Sequence, residues 1–266
     1  MTATQQTPPP AIWQATLPQG WHALTPAEGR YVCRLAACGR FAPVEIRARF
    51  LARHLRRAKP AKEGGQGGAN AAPAAVSAAE AVQRLAWLDT PPAFPVLFAP
   101  EGARRVINPT LAGVPFADYL RLTNLYRAAL AAYDGTSVES ASAKAAPALR
   151  AIRRIAYRPR PSWRAIARGG TPSPAECYAL LLWLASWHKW AAARWPELFT
   201  AAMGSAAPAL SPEAVMDAQI RALTGGDITK EEEILRADTF RALSELNAKA
   251  REARESREAV EAARKR

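Results

Sequence analysis

Residues 173–199, SPAECYALLLWLASWHKWAAARWPELF, constrain the fold of this chain more than any other segment. Ser173, Pro174 and Glu176 have the spacing of a capping box, in which side chains satisfy free backbone N–H groups of a helix's first turn. Residues 177–187 are almost all apolar, on every side of a helical wheel. A helix without a polar face is normally buried, and this run is shorter than the roughly 20 apolar residues that span a bilayer. The segment therefore predicts a buried central helix.

The composition extends this prediction to the rest of the chain. Alanine is abundant and β-branched residues are scarce, which favours helix, and 49% of the 266 residues are hydrophobic, which is typical of a globular protein. The sequence predicts a mostly α-helical protein, an irregular multi-helix bundle around the central helix at about 174–194. A second capping box at Thr25 and Glu28, and apolar residues at helical spacing after it, support the same class.

We expect a single helical domain over residues 12–246, preceded by a disordered arm at 1–11 that ends in three prolines. Two segments interrupt the helical pattern. Residues 58–75 have the composition of a flexible linker, and residues 134–146 form a weaker break. Residues 94–108 hold two short apolar runs, FPVLF and RRVIN, on either side of a turn, and they predict a small β-hairpin.

The C-terminal region predicts one long helix. Thr229 and Glu232 have capping-box spacing, and the helical pattern continues from there to Arg266. Its apolar positions stop near Leu246, and acids and bases interleave over residues 247–266. A helix without an apolar face is not part of a core. We therefore expect residues 247–266 to protrude as a charged helix that is detached or frayed.

Residue types that carry catalysis or bind metals are few and scattered. The histidines, His22, His54 and His188, are not spaced to share a metal ion, and a zinc site needs four clustered ligands. No glycine-rich phosphate loop, nucleophile elbow or dinucleotide fingerprint occurs. The sequence therefore predicts a protein that is not an enzyme, with no catalytic residue, no metal and no cofactor. Three cysteines are predicted to be reduced core residues of a cytoplasmic protein: Cys33, Cys38 and Cys177.

The chain is strongly basic, with a formal net charge of +13. Such a charge fits nucleic acid, an acidic protein or an anionic membrane as partner, and it equally fits an arginine-rich protein with ordinary solvated faces. No stretch reaches transmembrane length, and residues 1–11 lack the pattern of a signal peptide, so no membrane association is expected. Two basic segments remain as candidate binding sites.

The first basic segment is the helix pair at residues 25–39 and 43–57, joined by a short turn. This arrangement resembles a helix-turn-helix, but an ordinary helical hairpin with a charged outer face gives the same pattern. The second is residues 144–168, a stretch without acids that could bind phosphates or an acidic protein. If it does, Arg153, Arg158 and Arg160 should be exposed on one surface. The candidate partner or nucleic-acid-binding residues are Arg49, Arg53, Arg56, Arg57, Arg150, Arg153, Arg154, Arg158, Arg160, Trp163 and Arg164.

Four phrases occur together in a recognisable order: LPQGWHALTPAEGRYVCRLAACG, IAYRPRP, LLWLASWHKWAAARWPELF and ALTGGDITKEEEILRADTFRALSELNAKARE. With them the chain resembles uncharacterised helical proteins of Bacteroidetes-type phages and prophages, from the tail-morphogenesis region. The resemblance implies a chaperone-like tail-assembly or virion-associated protein that binds another phage structural protein, such as the tape-measure protein, in the host cytoplasm. It carries over no catalytic residue. The alternative is a basic nucleic-acid-binding protein that uses the 25–57 helix pair or the 144–168 stretch.

Overall fold

The computed structural model describes residues 12–13, 17–57, 75–103, 106–133, 138–157, 172–200 and 211–265. Within them it has ten α-helices, so the predicted multi-helix α fold is confirmed. The helices are α1 (Pro26–Ala37), α2 (Pro43–Arg57), α3 (Ala78–Arg84), α4 (Phe116–Ala131), α5 (Val138–Ala156), α6 (Pro174–Arg194), α7 (Pro196–Thr200), α8 (Pro212–Thr224), α9 (Glu231–Arg236) and α10 (Thr239–Arg264). The predicted arm at 1–11 and most of the predicted linker, residues 58–74, lie outside the described residues.

Helix α6 is the predicted central helix. The backbone N–H of Ser173 donates to the Glu176 carboxylate at 2.8 Å, and the N–H of Glu176 donates to Ser173 Oγ at 3.3 Å. The capping box therefore forms as the sequence predicts. Trp183 is 0% exposed and Trp187 is 1% exposed. The prediction of a buried helix at about 174–194 is thus confirmed.

Two hydrophobic clusters lie on different sides of α6, which explains why this helix has no polar face. Trp183 and Trp187 belong to the larger cluster, together with side chains from α4, α5 and the start of α10. Ala179 and Leu182 belong to a smaller cluster that includes residues of α1, α2 and the region after α3. Both clusters remove apolar surface from water, so both sides of the helix must be apolar.

The segment predicted as a β-hairpin is irregular, so that prediction is wrong. Residues 94–103 and 106–108 form bends, turns and coil, without strand pairing. Proline has no N–H to donate to a strand ladder, and this stretch contains Pro95 and Pro100. A two-residue antiparallel pairing is found elsewhere, between β1 (Ile12–Trp13) and β2 (Ala75–Val76).

The irregular chain continues into a strap, residues 106–115, that is held by the central helix. The indole N–H of Trp183 donates to the carbonyl of Pro109 at 2.8 Å, and that of Trp187 donates to the carbonyl of Thr110 at 2.9 Å. Leu111, which is almost fully buried, has a positive φ of 67°. The tryptophans therefore satisfy backbone carbonyls of a segment that has no regular structure of its own.

The predicted single helix from Thr229 onward is broken at residues 237–238, and this is a second correction. Thr229 does not cap a helix: the N-cap of α9 is Lys230, and the N–H of Thr229 donates to Asp227 Oδ1 at 3.0 Å in the turn before it. Helix α10 starts afresh after Asp238, whose carboxylate accepts from the N–H of Arg241 at 3.2 Å. The break has a tertiary cause: the N–H and the hydroxyl of Thr239 both donate to the Val114 carbonyl in the strap, at 2.9 and 2.7 Å.

The weaker break predicted at 134–146 is also largely helical. Residues 134–137 lie outside the described part of the chain, but α5 begins at Val138 and continues to Ala156 with Pro147 inside it. Proline removes one backbone hydrogen bond from a helix. Ala145 and Leu149, on either side of that proline, are buried in the larger cluster, and this packing favours continuing the helix.

Across the described ranges, none of the helices is long and apolar enough to cross a membrane.

Candidate interaction surfaces

Helix α2 carries a stripe of arginines on its outer side. Arg49, Arg53 and Arg56 follow each other at intervals of four and three residues, so they lie along one side of the helix. The Arg49 guanidinium carbon lies 4.0 Å from the ring centroid of Phe41, and that of Arg53 lies 4.2 Å from the ring centroid of Tyr31. Cation–π contacts of this kind hold the two guanidinium groups in place.

The four candidate arginines of α2 differ in exposure. Arg49 and Arg56 are exposed, and Arg53 is half-buried. The Nε of Arg53 is buried and has no hydrogen-bond partner among the described residues. Arg57 is the last residue of the helix, and its side chain lies outside the described ones. The structure therefore brings three of the four predicted residues into one stripe.

The other side of α2 is fixed to α1 by a side-chain hydrogen bond. His54 Nδ1 lies 2.6 Å from Glu28 Oε1, and the other oxygen of Glu28 accepts from the backbone N–H of Thr25 at 2.9 Å. Burial raises the pKa of Glu28, but the hydrogen bonds from Thr25 and His54 outweigh it, so this pKa lies below its ordinary value. The carboxylate thus caps α1 and binds α2 at the same time.

The second predicted basic segment is only partly described. Arg154 is exposed and Arg150 is half-buried, both on α5. The expectation that Arg153 is exposed is wrong, because this residue is only 9% exposed and its charge acts on Tyr157 and Cys177, near the start of α6. The other predicted residues of this segment lie outside the described residues: Arg158, Arg160, Trp163 and Arg164.

The C-terminal helix continues unbroken to Arg264, and residues 251–265 are exposed except for the half-buried Arg254. Arg254 binds both carboxylate oxygens of Glu197, with Nε at 2.9 Å and Nη2 at 3.2 Å. Glu197 lies on α7, so this ion pair connects the charged helix to the rest of the protein. The sequence predicted no such contact.

A cavity of about 310 Å³ lies between α4, α6, α7 and α8. His188 lines it and stacks on Tyr126 with the ring centroids 5.0 Å apart. Burial and the positive charge of Arg127 lower the pKa of His188 to about 4, and burial raises the pKa of Tyr119 to about 12. Both groups are therefore neutral near pH 7. A general acid or base works best with a pKa near the working pH, and neither group has one.

Among the described residues, the cysteines and other possible metal ligands show no clustering. Burial raises the pKa of Cys33 to about 12 and that of Cys177 to about 11, so both remain thiols. Cys38 is exposed, so the expectation that it is a core residue is wrong. In the part of the chain that the structure describes, no three His, Cys, Asp or Glu side chains are grouped so that they could hold a metal ion.

Sequence reasoning missed a group of aromatic and basic side chains at the end of α6. Phe94 is 52% exposed, and its ring meets that of Trp190 edge to face with the centroids 5.9 Å apart. Arg194 lies near the same tryptophan and near Phe240, with its guanidinium carbon 5.4 Å from the latter ring. The available signal was a phenylalanine close to prolines on both sides, a context that favours an exposed turn over a strand.

No protein-family model matches this chain, and comparisons with curated proteins and with solved structures found no similar protein.

Proposed function

We propose that this protein is a non-enzymatic, chaperone-like tail-assembly or virion-associated protein of a phage, and that it acts by binding another protein. The observation that carries this proposal is the C-terminal helix, whose residues 251–264 are helical and, apart from Arg254, exposed. The resemblance to phage tail-morphogenesis proteins supplies the partner class: another phage structural protein, with the tape-measure protein as first candidate. Binding takes place in the host cytoplasm, during assembly.

The exposed helix is preformed, and this makes it suited to binding. Leu243 and Leu246 fix the first half of α10 in the larger cluster, so the exposed half needs no separate nucleation. A partner that binds a preformed helix does not have to order it, which lowers the entropic cost of association. Along the exposed half, pairs such as Arg254 with Glu258, 2.8 Å apart, support the helix without help from the core.

Deleting residues 250–266 should leave the thermal midpoint nearly unchanged and weaken assembly with the partner. The deleted residues bury little apolar surface, and Val260, their largest aliphatic side chain, is 67% exposed. The ion pair of Arg254 with Glu197 is accessible to water, so its loss should have a small effect on stability. Differential scanning calorimetry measures the midpoint, and co-purification with a co-expressed tape-measure protein measures assembly.

A matched control replaces residues 250–266 with an alanine-rich Glu–Lys helix of the same length. This segment keeps the helical shape but not the native side chains, so the variant should have the wild-type midpoint and should not assemble with the partner. A large fall in the midpoint on deletion would show that the segment belongs to the core. Full stability together with full assembly would contradict its role in binding.

The arginine stripe of α2 supports a second candidate function, binding of nucleic acid. Guanidinium groups held on aromatic rings can present their N–H groups to phosphate oxygens. Arg49 and Arg56 are both exposed on this stripe. These side chains fit the sugar–phosphate backbone better than base edges, since the first turn of α2 holds Val44, Glu45 and Ile46 rather than amide side chains that read bases.

A salt titration of duplex DNA affinity tests this second function. Each phosphate contact contributes about 0.9 to the slope of log affinity against log salt. Replacing Arg49 and Arg56 with glutamine should therefore lower the slope by about 2. The control replaces Arg251 and Arg257 of the C-terminal helix, which changes the net charge equally. Equal slopes for both variants, or no affinity for DNA at low salt, would reject nucleic-acid binding by α2.

A further inference from the structure

The aromatic protrusion, which consists of Phe94, Trp190 and Arg194, has the composition of a protein-binding site. Tryptophan and arginine are enriched among residues that dominate binding energy at interfaces, and aromatic residues are generally enriched there. The Phe94 side chain is 52% exposed, whereas a large aromatic ring is ordinarily buried. Its only ring contact among the described aromatic residues is the one with Trp190.

The backbone presents Phe94 rigidly. Pro92 and Pro95 lie on either side of it, and both are buried while Phe94 is exposed. Proline fixes its own φ near −65° and restricts the residue before it to extended conformations, so the two buried prolines narrow the conformations open to Phe94. A side chain presented in this way loses little conformational freedom when a partner covers it.

Arg194 supplies a positive charge near Trp190, the ring that Phe94 contacts. Its guanidinium carbon lies 5.4–5.7 Å from the ring centroids of Trp190, Trp195 and Phe240, and the structure gives it no carboxylate partner among the described residues. The aromatic rings thus position a cation whose hydrogen-bond donors remain available to a carboxylate. The matching partner surface has an apolar recess with carboxylates at its edge.

The same chain carries such a recess, the acidic cleft. It is an open cleft of about 320 Å³ at the junction of α8 and α9. Ile228, which is 80% exposed, gives it an apolar wall. Its lining includes two carboxylates, Asp217 and Glu231, and only one guanidinium, that of Arg221, so negative charge exceeds positive charge there. The residues that line it are Asp217, Ile220, Arg221, Thr224, Gly226, Ile228 and Glu231.

We propose that this protein self-associates, with the aromatic protrusion of one copy bound in the acidic cleft of a second copy. Phe94 enters the cleft against Ile228, and Arg194 pairs with Asp217 or Glu231 at the rim. Copies with a net charge of +13 repel each other over most of their surface. The acidic cleft has the opposite charge, so it attracts the basic protrusion of another copy. This inference is independent of the proposed function, because neither surface includes residues 250–266.

The two surfaces are different patches of one molecule, and this sets the form of the assembly. If both can be engaged at once between two copies, they form a dimer with two equivalent contacts. If they cannot, each copy binds the next and a ring or an open chain results. Sedimentation velocity over a range of concentrations of the full chain distinguishes these forms.

Replacing Phe94 with serine should weaken self-association about 30-fold, the effect of losing one dominant interface residue. The matched control is Val260→Ser, which removes another exposed apolar side chain and should leave self-association unchanged. Unchanged thermal midpoints show that both variants are folded. A wild-type chain that stays monomeric at every concentration, or a Phe94→Ser variant that associates like the wild type, would overturn the proposal.

Charge reversal tests the pairing of the two surfaces directly. Arg194→Glu alone should dissociate the assembly, and so should the double variant Asp217→Arg, Glu231→Arg. Mixing the two variants pairs the acidic protrusion with the basic cleft and the unchanged protrusion with the unchanged cleft, so association should return in the mixture. If each variant associates by itself, or if the mixture remains monomeric, these residues do not form the contact. If an acidic peptide binds the protrusion while the wild type stays monomeric, the protrusion serves a different partner, and this would overturn self-association.

Discussion

Replacing Trp187 with alanine should lower the free energy of unfolding by about 3–5 kcal/mol. Its side chain is 1% exposed and packs on Tyr119 with the ring centroids 5.3 Å apart. Its indole N–H also donates to the carbonyl of Thr110 at 2.9 Å. The substitution therefore leaves a cavity in the larger cluster and removes one bond that holds the strap.

Urea unfolding followed by circular dichroism measures this change. Trp187→Phe keeps one six-membered ring and removes the pyrrole part of the indole with its N–H donor, so it should lower the free energy of unfolding by less than Trp187→Ala. Lys189→Ala, on an exposed position of the same helix, should change the free energy of unfolding by less than about 0.5 kcal/mol. An unchanged midpoint for Trp187→Ala would mean that α6 is not the centre of the fold.

Acidification should destabilise this protein between about pH 6.5 and pH 4 through His188. Its pKa is lowered to about 4 in the folded state by burial and by Arg127, against an ordinary value of about 6.5 in the unfolded chain. In that window the unfolded state binds the proton and the folded state does not, so stability falls as pH falls. The loss is fully developed near pH 4 and amounts to at most about 3 kcal/mol.

Urea midpoints at a series of pH values, for the wild type and for His188→Phe, test this expectation. Phenylalanine keeps the stacking position on Tyr126 but cannot be protonated, so the variant should lose less stability on acidification than the wild type. His22→Gln, which removes an exposed histidine, is the control and should follow the wild-type curve. Parallel curves for the wild type and His188→Phe would show that His188 does not carry the effect.

Local interactions made several elements predictable from the sequence. The capping boxes of α1 and α6 each join residues three positions apart, Thr25 with Glu28 and Ser173 with Glu176, so their partners are visible in the sequence. The burial of α6 was equally predictable, because an apolar run without a polar face has no stable position in water.

Predictions failed where a distant partner determines the local structure. The long C-terminal helix breaks before Thr239 because this residue donates to Val114, 125 positions earlier in the chain. Arg153 belongs to a basic stretch in the sequence but is buried near Tyr157 and Cys177. Spacing and composition contain no information about such contacts.

Of the candidate surfaces, one was predictable from the sequence and one was not. The arginine stripe of α2 was predictable because residues at intervals of four and three share one side of a helix. The aromatic protrusion was not, since Phe94 and Trp190 are 96 positions apart and meet only after folding, at 5.9 Å. The sequence by itself thus determined the helices and their apolar sides, through interactions within a few residues. Only tertiary packing decided which side chains meet at the surface, because it brings together residues that the chain keeps far apart.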